Sequence, residues 1–152
     1  MTSAPISKRR SGEALGGLPV ADPRPRLVEG LVAGWRCGSC GHAVAQESPW
    51  CPNCSAAALA PATFGPGGTV WAGTVVHLPV GHWKPPFGLA SVDLDDGPRI
   101  LAHVTAPRVL AVGSRVRLAE RPAGDPGARA GIGDIGVGDG NDVWVEPEPS
   151  GS

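Results

Sequence analysis

The chain has no tyrosine, one methionine and two phenylalanines, and only 18% of its residues are charged. Its 13 Lys and Arg face 14 Asp and Glu, for a formal net charge of -1. A protein that neutralises nucleic-acid phosphates needs a surplus of Lys and Arg, and none exists here. No stretch approaches the roughly 18 consecutive apolar residues of a membrane span. The Lys8-Arg9-Arg10 cluster is followed by no apolar run, so no secretory signal is expected. The expected location is the cytoplasm, where thiols stay reduced. With 23 Gly and 17 Pro, long helices are also excluded in favour of short strands and turns. What remains is a hydrophobic content of 41% in 152 residues, enough for one ordinary domain or two very small ones.

The segment from Met1 to Arg26 is polar and broken by prolines, and reads as irregular. Leu27 to Val32 reads as a short helical turn, kept short by Gly30 and Gly34. Trp35 to Ser55 holds the cysteines, and Ala56 to Gly68 reads as a linker. Five strands are expected after it: Val70–Leu78, Phe87–Leu94, Arg99–Val104, Ser114–Ala119 and Asp142–Glu146. In the fourth, Val116 and Leu118 alternate with Arg115 and Arg117. The expected fold is mainly β, with a small four-cysteine zinc ribbon, a five-stranded OB-fold barrel and a short N-terminal helical segment. A small sandwich is the alternative for the same strand count. The domain reading is 1–34 irregular with a short helix, 35–60 zinc ribbon and 61–148 barrel.

The cysteines form the pattern Cys37-Gly-Ser-Cys40, ten residues, Cys51-Pro-Asn-Cys54. A tight turn between two cysteines lets both sulfurs reach one ion, and two such knuckles complete a tetrahedron. All four cysteines of the chain are used. The expectation is one structural zinc ion, with iron able to occupy the same sulfurs. Two disulfides or a thiol–disulfide redox site are the alternatives. Four ligands leave no open coordination position, so the site is structural rather than catalytic. His42, beside the first knuckle, reads as a surface residue.

His77, His82, Trp83, Lys84 and Phe87 border the loop between the first two barrel strands, on the side where an OB-fold binds its ligands. They are candidates for contact with a ligand or partner; alternatively Trp83 and Phe87 plug the barrel end. Trp35 and Trp50 are expected to cover the metal site, and Trp71 and Trp144 to lie in the core. A stacking platform for single-stranded nucleic acid is the rival reading of the tryptophans. Gly131-Ile-Gly133-Asp-Ile-Gly136 matches a dinucleotide-binding pattern literally. It lies among further Gly and Asp residues that cannot open a helix, and reads as a loop.

The run Leu27 to Gly41, with Pro49-Trp50-Cys51-Pro52-Asn53-Cys54, resembles the two knuckles of a known family. These are the rubredoxin-like zinc-ribbon plus OB-fold proteins, long a domain of unknown function, associated with acyl-CoA enzymes. Gly73 to His77, Pro86 to Leu94 and Val112 to Val116 resemble its barrel. The resemblance implies a non-catalytic accessory subunit of a thiolase-fold thiolase, acyltransferase or retro-aldolase, in a hetero-oligomer. It implies stabilisation of that enzyme and a role in holding the CoA thioester, as in steroid side-chain degradation. Lys84, Arg99, Arg108, Arg115 and Arg117 are then the candidates for the CoA phosphates. A single-stranded nucleic-acid module and a small iron redox protein are the other two functions carried forward.

Overall fold

The computed structural model describes residues 25–80, 83–120 and 142–149. The Lys8–Arg10 cluster, His82 and the 131–136 glycine motif lie outside these residues. Among the described residues nine strands follow one another: β1 (Arg26–Val28), β2 (Leu31–Cys37), β3 (Ala43–Val44), β4 (Leu59–Phe64), β5 (Gly67–Val76), β6 (Phe87–Leu94), β7 (Arg99–Val104), β8 (Arg115–Ala119) and β9 (Trp144–Pro147). Among the described residues no helix is long and apolar enough to cross a membrane.

Leu27 to Val32 is not a helical turn. Val28 pairs with Leu31 across a two-residue turn at Glu29 and Gly30, whose φ angles are 52° and 77°. Positive φ at both central residues is the hairpin turn whose twist matches the flanking strands. The residues 56–68 are likewise more than a linker, because Leu59 to Phe64 forms β4 along Val32 to Cys37 of β2. No alternating pattern announces this strand, since five of its six residues are Leu, Ala, Pro or Thr of no clear period. Pro61 is tolerated because β4 is an edge strand, paired only with β2.

The second sheet closes on itself in the order β5-β6-β7-β9-β8. Only β7 and β9 run parallel, and the other neighbours are antiparallel. This is the five-stranded OB-fold arrangement that the strand count suggested, and the sandwich alternative is set aside. β6 and β7 alternate without a break between buried and more exposed positions. Val92, Leu94, Ile100, Ala102 and Val104 therefore fill the barrel with Val70, Val116 and Val145.

Val32 of β2 and Phe64 of β4 belong to the same buried cluster, so ribbon and barrel share one core. A Cβ on Gly97, in the β6–β7 turn, would sit 2.9 Å from the Cβ of Phe64. Glycine is what lets the turn lie against that ring. Arg36 of β2 spans the same seam. It donates to the carbonyl of Gly41 at 2.9 Å on the ribbon side and to the carbonyl of Asp96 on the barrel side. Its guanidinium also meets the Asp96 carboxylate at 3.2 Å and lies 5.3 Å from the Phe64 ring centre.

Phe64→Ala should cost about 3–5 kcal/mol, because the cavity opens in the shared core. Gly34→Ala should cost about 1–3 kcal/mol by overpacking, since its Cβ would lie 2.3 Å from the carbonyl oxygen of Val44. Urea unfolding of the metal-loaded protein measures both.

Candidate metal centre and barrel face

Each knuckle is a short turn closed by backbone hydrogen bonds. Gly41 N–H donates to the Cys37 carbonyl at 2.9 Å, and Ser55 N–H donates to the Cys51 carbonyl at 2.8 Å. Both closing residues are left-handed, with φ of 77° at Gly41 and 63° at Ser55. The two knuckles are thus copies of one turn, and Ser55 accepts a conformation that glycine takes more readily.

The turns bring the four Sγ atoms within 4.8 Å of one another. The Cys37–Cys54 sulfurs are 3.6 Å apart and the Cys40–Cys51 sulfurs 3.7 Å. A disulfide needs about 2.05 Å, so these pairs are not bonded. Four thiolates around zinc at about 2.3 Å form a tetrahedron with edges of about 3.8 Å. The cluster is therefore compact enough to hold a metal ion such as zinc. Cys37, Cys40, Cys51 and Cys54 would hold it, and it would supply structural cross-linking alone, because no coordination position is left for a substrate. His42 is exposed and stands outside the four-sulfur group.

The surroundings prepare the sulfurs for charge. The side-chain amide of Asn53 donates to Cys40 Sγ at 3.5 Å. With the His42 N–H, it pulls the Cys40 thiol down to about 6. The N–H groups of Cys40 and Ser39 hold Cys37 below its ordinary value. Cys54 moves the other way, to about 12. The Ala56 N–H lowers it, but desolvation and the three neighbouring sulfurs outweigh that bond. Four thiolates at this spacing repel one another, and a cation between them removes the conflict.

Trp50, expected to cover this site, has 59% of its surface open to solvent. Trp71 is not in the core either. It occupies the register shift between Val70 and Ala72 in β5, which turns it outward to 54% exposure. There Arg99 lies 4.0 Å from its ring centre. Trp144 is 7% exposed as expected, yet it stands outside the barrel's interior cluster. Its register partners His103 and Ala119 belong to the outward-facing rows of β7 and β8. The covering group is Trp83, which stacks on His103 at 4.0 Å between ring centres and meets Trp144 at 5.9 Å. Phe87 closes the cluster at 5.8 Å from Trp83. Trp83 and Phe87 thus pack over the outer wall of the barrel rather than into its end.

The remaining sequence candidates scatter. His77 is exposed just past β5, and Lys84 is exposed in the loop before β6. Arg99 is held by Asp93 through two hydrogen bonds of 2.6 and 3.0 Å. Arg115 is held by Asp95 at 2.6 Å and Glu148 at 3.3 Å, and Arg117 by Glu146 at 2.6 Å. These bonds push Asp93 and Asp95 below the usual carboxylate range. Of the five cations named from the sequence, Lys84 and Arg108 have no ion pair among the described residues. Sequence reasoning missed His103, Asn53 and Arg36. The outward position of His103 in the alternating strand β7 and the placement of Asn53 inside a knuckle were the available signals.

Ribbon and barrel together define a class: a four-cysteine ribbon mounted on an OB-fold barrel. Residues 62–121 match the family described as ChsH2, C-terminal OB-fold domain. The solved structure of an Ltp2-ChsH2(DUF35) aldolase is similar with a TM-score of 0.55 and 21% identity, over 77% of this chain and 84% of that one. At that identity the likeness is one of fold. No curated protein matches the chain. The family resemblance read from the knuckles and the barrel pattern is thus borne out by the matched barrel segment, the similar fold and the cysteine cluster.

Replacing Asn53 by Ala should weaken zinc binding about 10-fold or more below pH 6, in the range lost with other outer-shell partners. Zinc needs the thiolate, so a raised Cys40 pKa makes protons stronger competitors. The deficit should close as pH rises through the ordinary thiol value of about 8.5. Competition against a chromophoric chelator across this range measures it. Zinc analysis should return one ion per chain, and Cys51→Ser should lose it.

Proposed function

We propose that this chain is a non-catalytic, zinc-binding accessory subunit that stabilises and assists a thiolase-superfamily enzyme acting on an acyl-CoA. That enzyme would be a thiolase, an acyltransferase or a retro-aldolase, in steroid or other side-chain degradation. One observation carries the reading: a closed four-sulfur ribbon shares its core with a barrel whose sequence matches the ChsH2 OB-fold family. The similarity to the fold found in an Ltp2-ChsH2(DUF35) aldolase supports an aldolase-type partner. The partner surface would include Trp83, Lys84 and Phe87, with His77 and His82 on the same loop. The proposed place of action is the cytoplasm.

If the barrel also touches CoA, Lys84 and Arg108 are its phosphate contacts, because Arg99, Arg115 and Arg117 are committed to carboxylates. The two lie at the same end of the barrel. Lys84 precedes β6, and the Arg108 carbonyl sits 2.9 Å from where a Cβ on Gly88 would stand. Two cations make a poor track for a nucleic-acid backbone, so the single-strand binding module is the weaker reading.

The large enzyme should lose at least 10-fold in activity, or fail to stay in solution, when purified without this chain. Full activity of the large enzyme alone contradicts the proposal. In the complex, K84A combined with R108A should raise KM for the acyl-CoA about 10-fold while zinc content stays the same. An unchanged KM removes the CoA contact and leaves the stabilising role.

A further inference from the structure

Strand β7 is paired on both sides only over part of its length. On one side it pairs with β6 throughout, and on the other with β9 only at His103 and Val104. The register shows which residues look which way. Leu94 N–H donates to the Pro98 carbonyl at 3.2 Å. In an antiparallel ladder the hydrogen-bonded pairs recur at every second residue. Ile100 and Ala102 therefore bond toward β6, opposite Val92 and Ala90. Arg99, Leu101 and His103 present their N–H and C=O groups to the other side. His103 N–H indeed donates to the Val143 carbonyl at 2.8 Å. The backbone groups of Arg99 and Leu101 face the same way, and no strand among the described residues pairs with them.

This open edge borders a cleft of about 990 Å³ between ribbon and barrel. Its ribbon wall runs from Ala43 to Ser48, and its barrel wall from Gly97 to Leu101. Leu101 flanks the edge with 61% of its surface exposed. An unpaired row of main-chain groups beside an exposed apolar side chain is what an added strand recognises. Donors and acceptors two residues apart on one strand repeat at roughly 6.6 Å, a spacing that another extended backbone matches. Among the described residues, the lining carries the carboxylates of Glu47 and Asp142, and its one guanidinium, Arg99, already binds Asp93.

We infer that the cleft receives one extended segment of the large partner subunit, which adds as a strand to β7 along Arg99–Leu101. The inference rests on the accessory-subunit reading and deepens it. The segment places an apolar residue beside Leu101 and a basic residue toward Glu47. The ribbon then forms the far wall of the docking cleft, so the metal centre holds open a surface 

that the barrel alone lacks.

Hydrogen exchange at single amides tests it, on the full chain free and in complex with the co-purified large subunit. The Leu101 amide should exchange quickly in the free chain and at least 10-fold more slowly in the complex. The amides of Ile100 and Ala102, bonded to β6, should be slow in both. L101E should weaken the complex at least 10-fold, with zinc content and melting temperature unchanged. A complex in which Leu101 still exchanges quickly overturns the inference and leaves the accessory reading standing. A wild-type chain that forms no complex overturns both. Protection that rises with concentration of the isolated chain assigns the edge to a second copy, and overturns the partner strand.

Discussion

Four sulfurs within 4.8 Å of one another cannot all carry charge unless a cation lies among them. The rest of the ribbon depends on that constraint. Its strands are short, and its described core contribution is limited to Val32, Phe64, Leu27 and a few alanines. The knuckles fix the far end of β2 at Cys37 and, through the return of the chain, the start of β4 at Leu59. The β2–β4 ladder that runs back from this pair carries Arg36, Val32 and Phe64, the residues that join ribbon to barrel. A metal ion bound to the cysteines therefore orders the seam as well as the loop around it.

The seam in turn positions what the barrel offers. Arg36 reaches from the first knuckle to the β6–β7 turn, and Gly97 admits the Phe64 ring against that turn. The adjoining strand β7 carries Leu101 toward the cleft and His103 beneath Trp83. The same strand thus has one stretch covered by the chain's own aromatic loop and another left open. The ion pairs on the outer wall, Asp93 with Arg99, Asp95 with Arg115 and Glu146 with Arg117, cancel most of its charge. Such a surface suits packing against protein better than tracking a phosphate backbone.

The barrel was largely legible because its strands have a buried and an open face. Phe87–Leu94 and Arg99–Val104 are read from the sequence with the bounds that the structure gives them. The cysteine cluster was legible for a different reason: two short turns bring together four ligands from residues close in sequence. The ribbon's strands were hidden because β1 and β3 are only two or three residues long and half of β4 is Ala or Pro, so pairing with β2 decides their shape. The hairpin at Glu29-Gly30 reads as a helical turn in the sequence, since a leucine–valine run of that length fits either period. Trp71 could not be placed outward without knowing of the β5 bulge, nor Trp144 beneath Trp83 without the path of the loop.

The claim at the centre of this account is that the chain works as part of a larger acyl-CoA enzyme. Capture of the tagged chain from its native cells, with mass identification of what accompanies it, tests that claim most directly. The account predicts a thiolase-fold protein in near-equal amount, retained through washing at high salt. Recovery of the chain alone, or with nucleic acid released by salt, would contradict it and leave only the metal ribbon and the barrel.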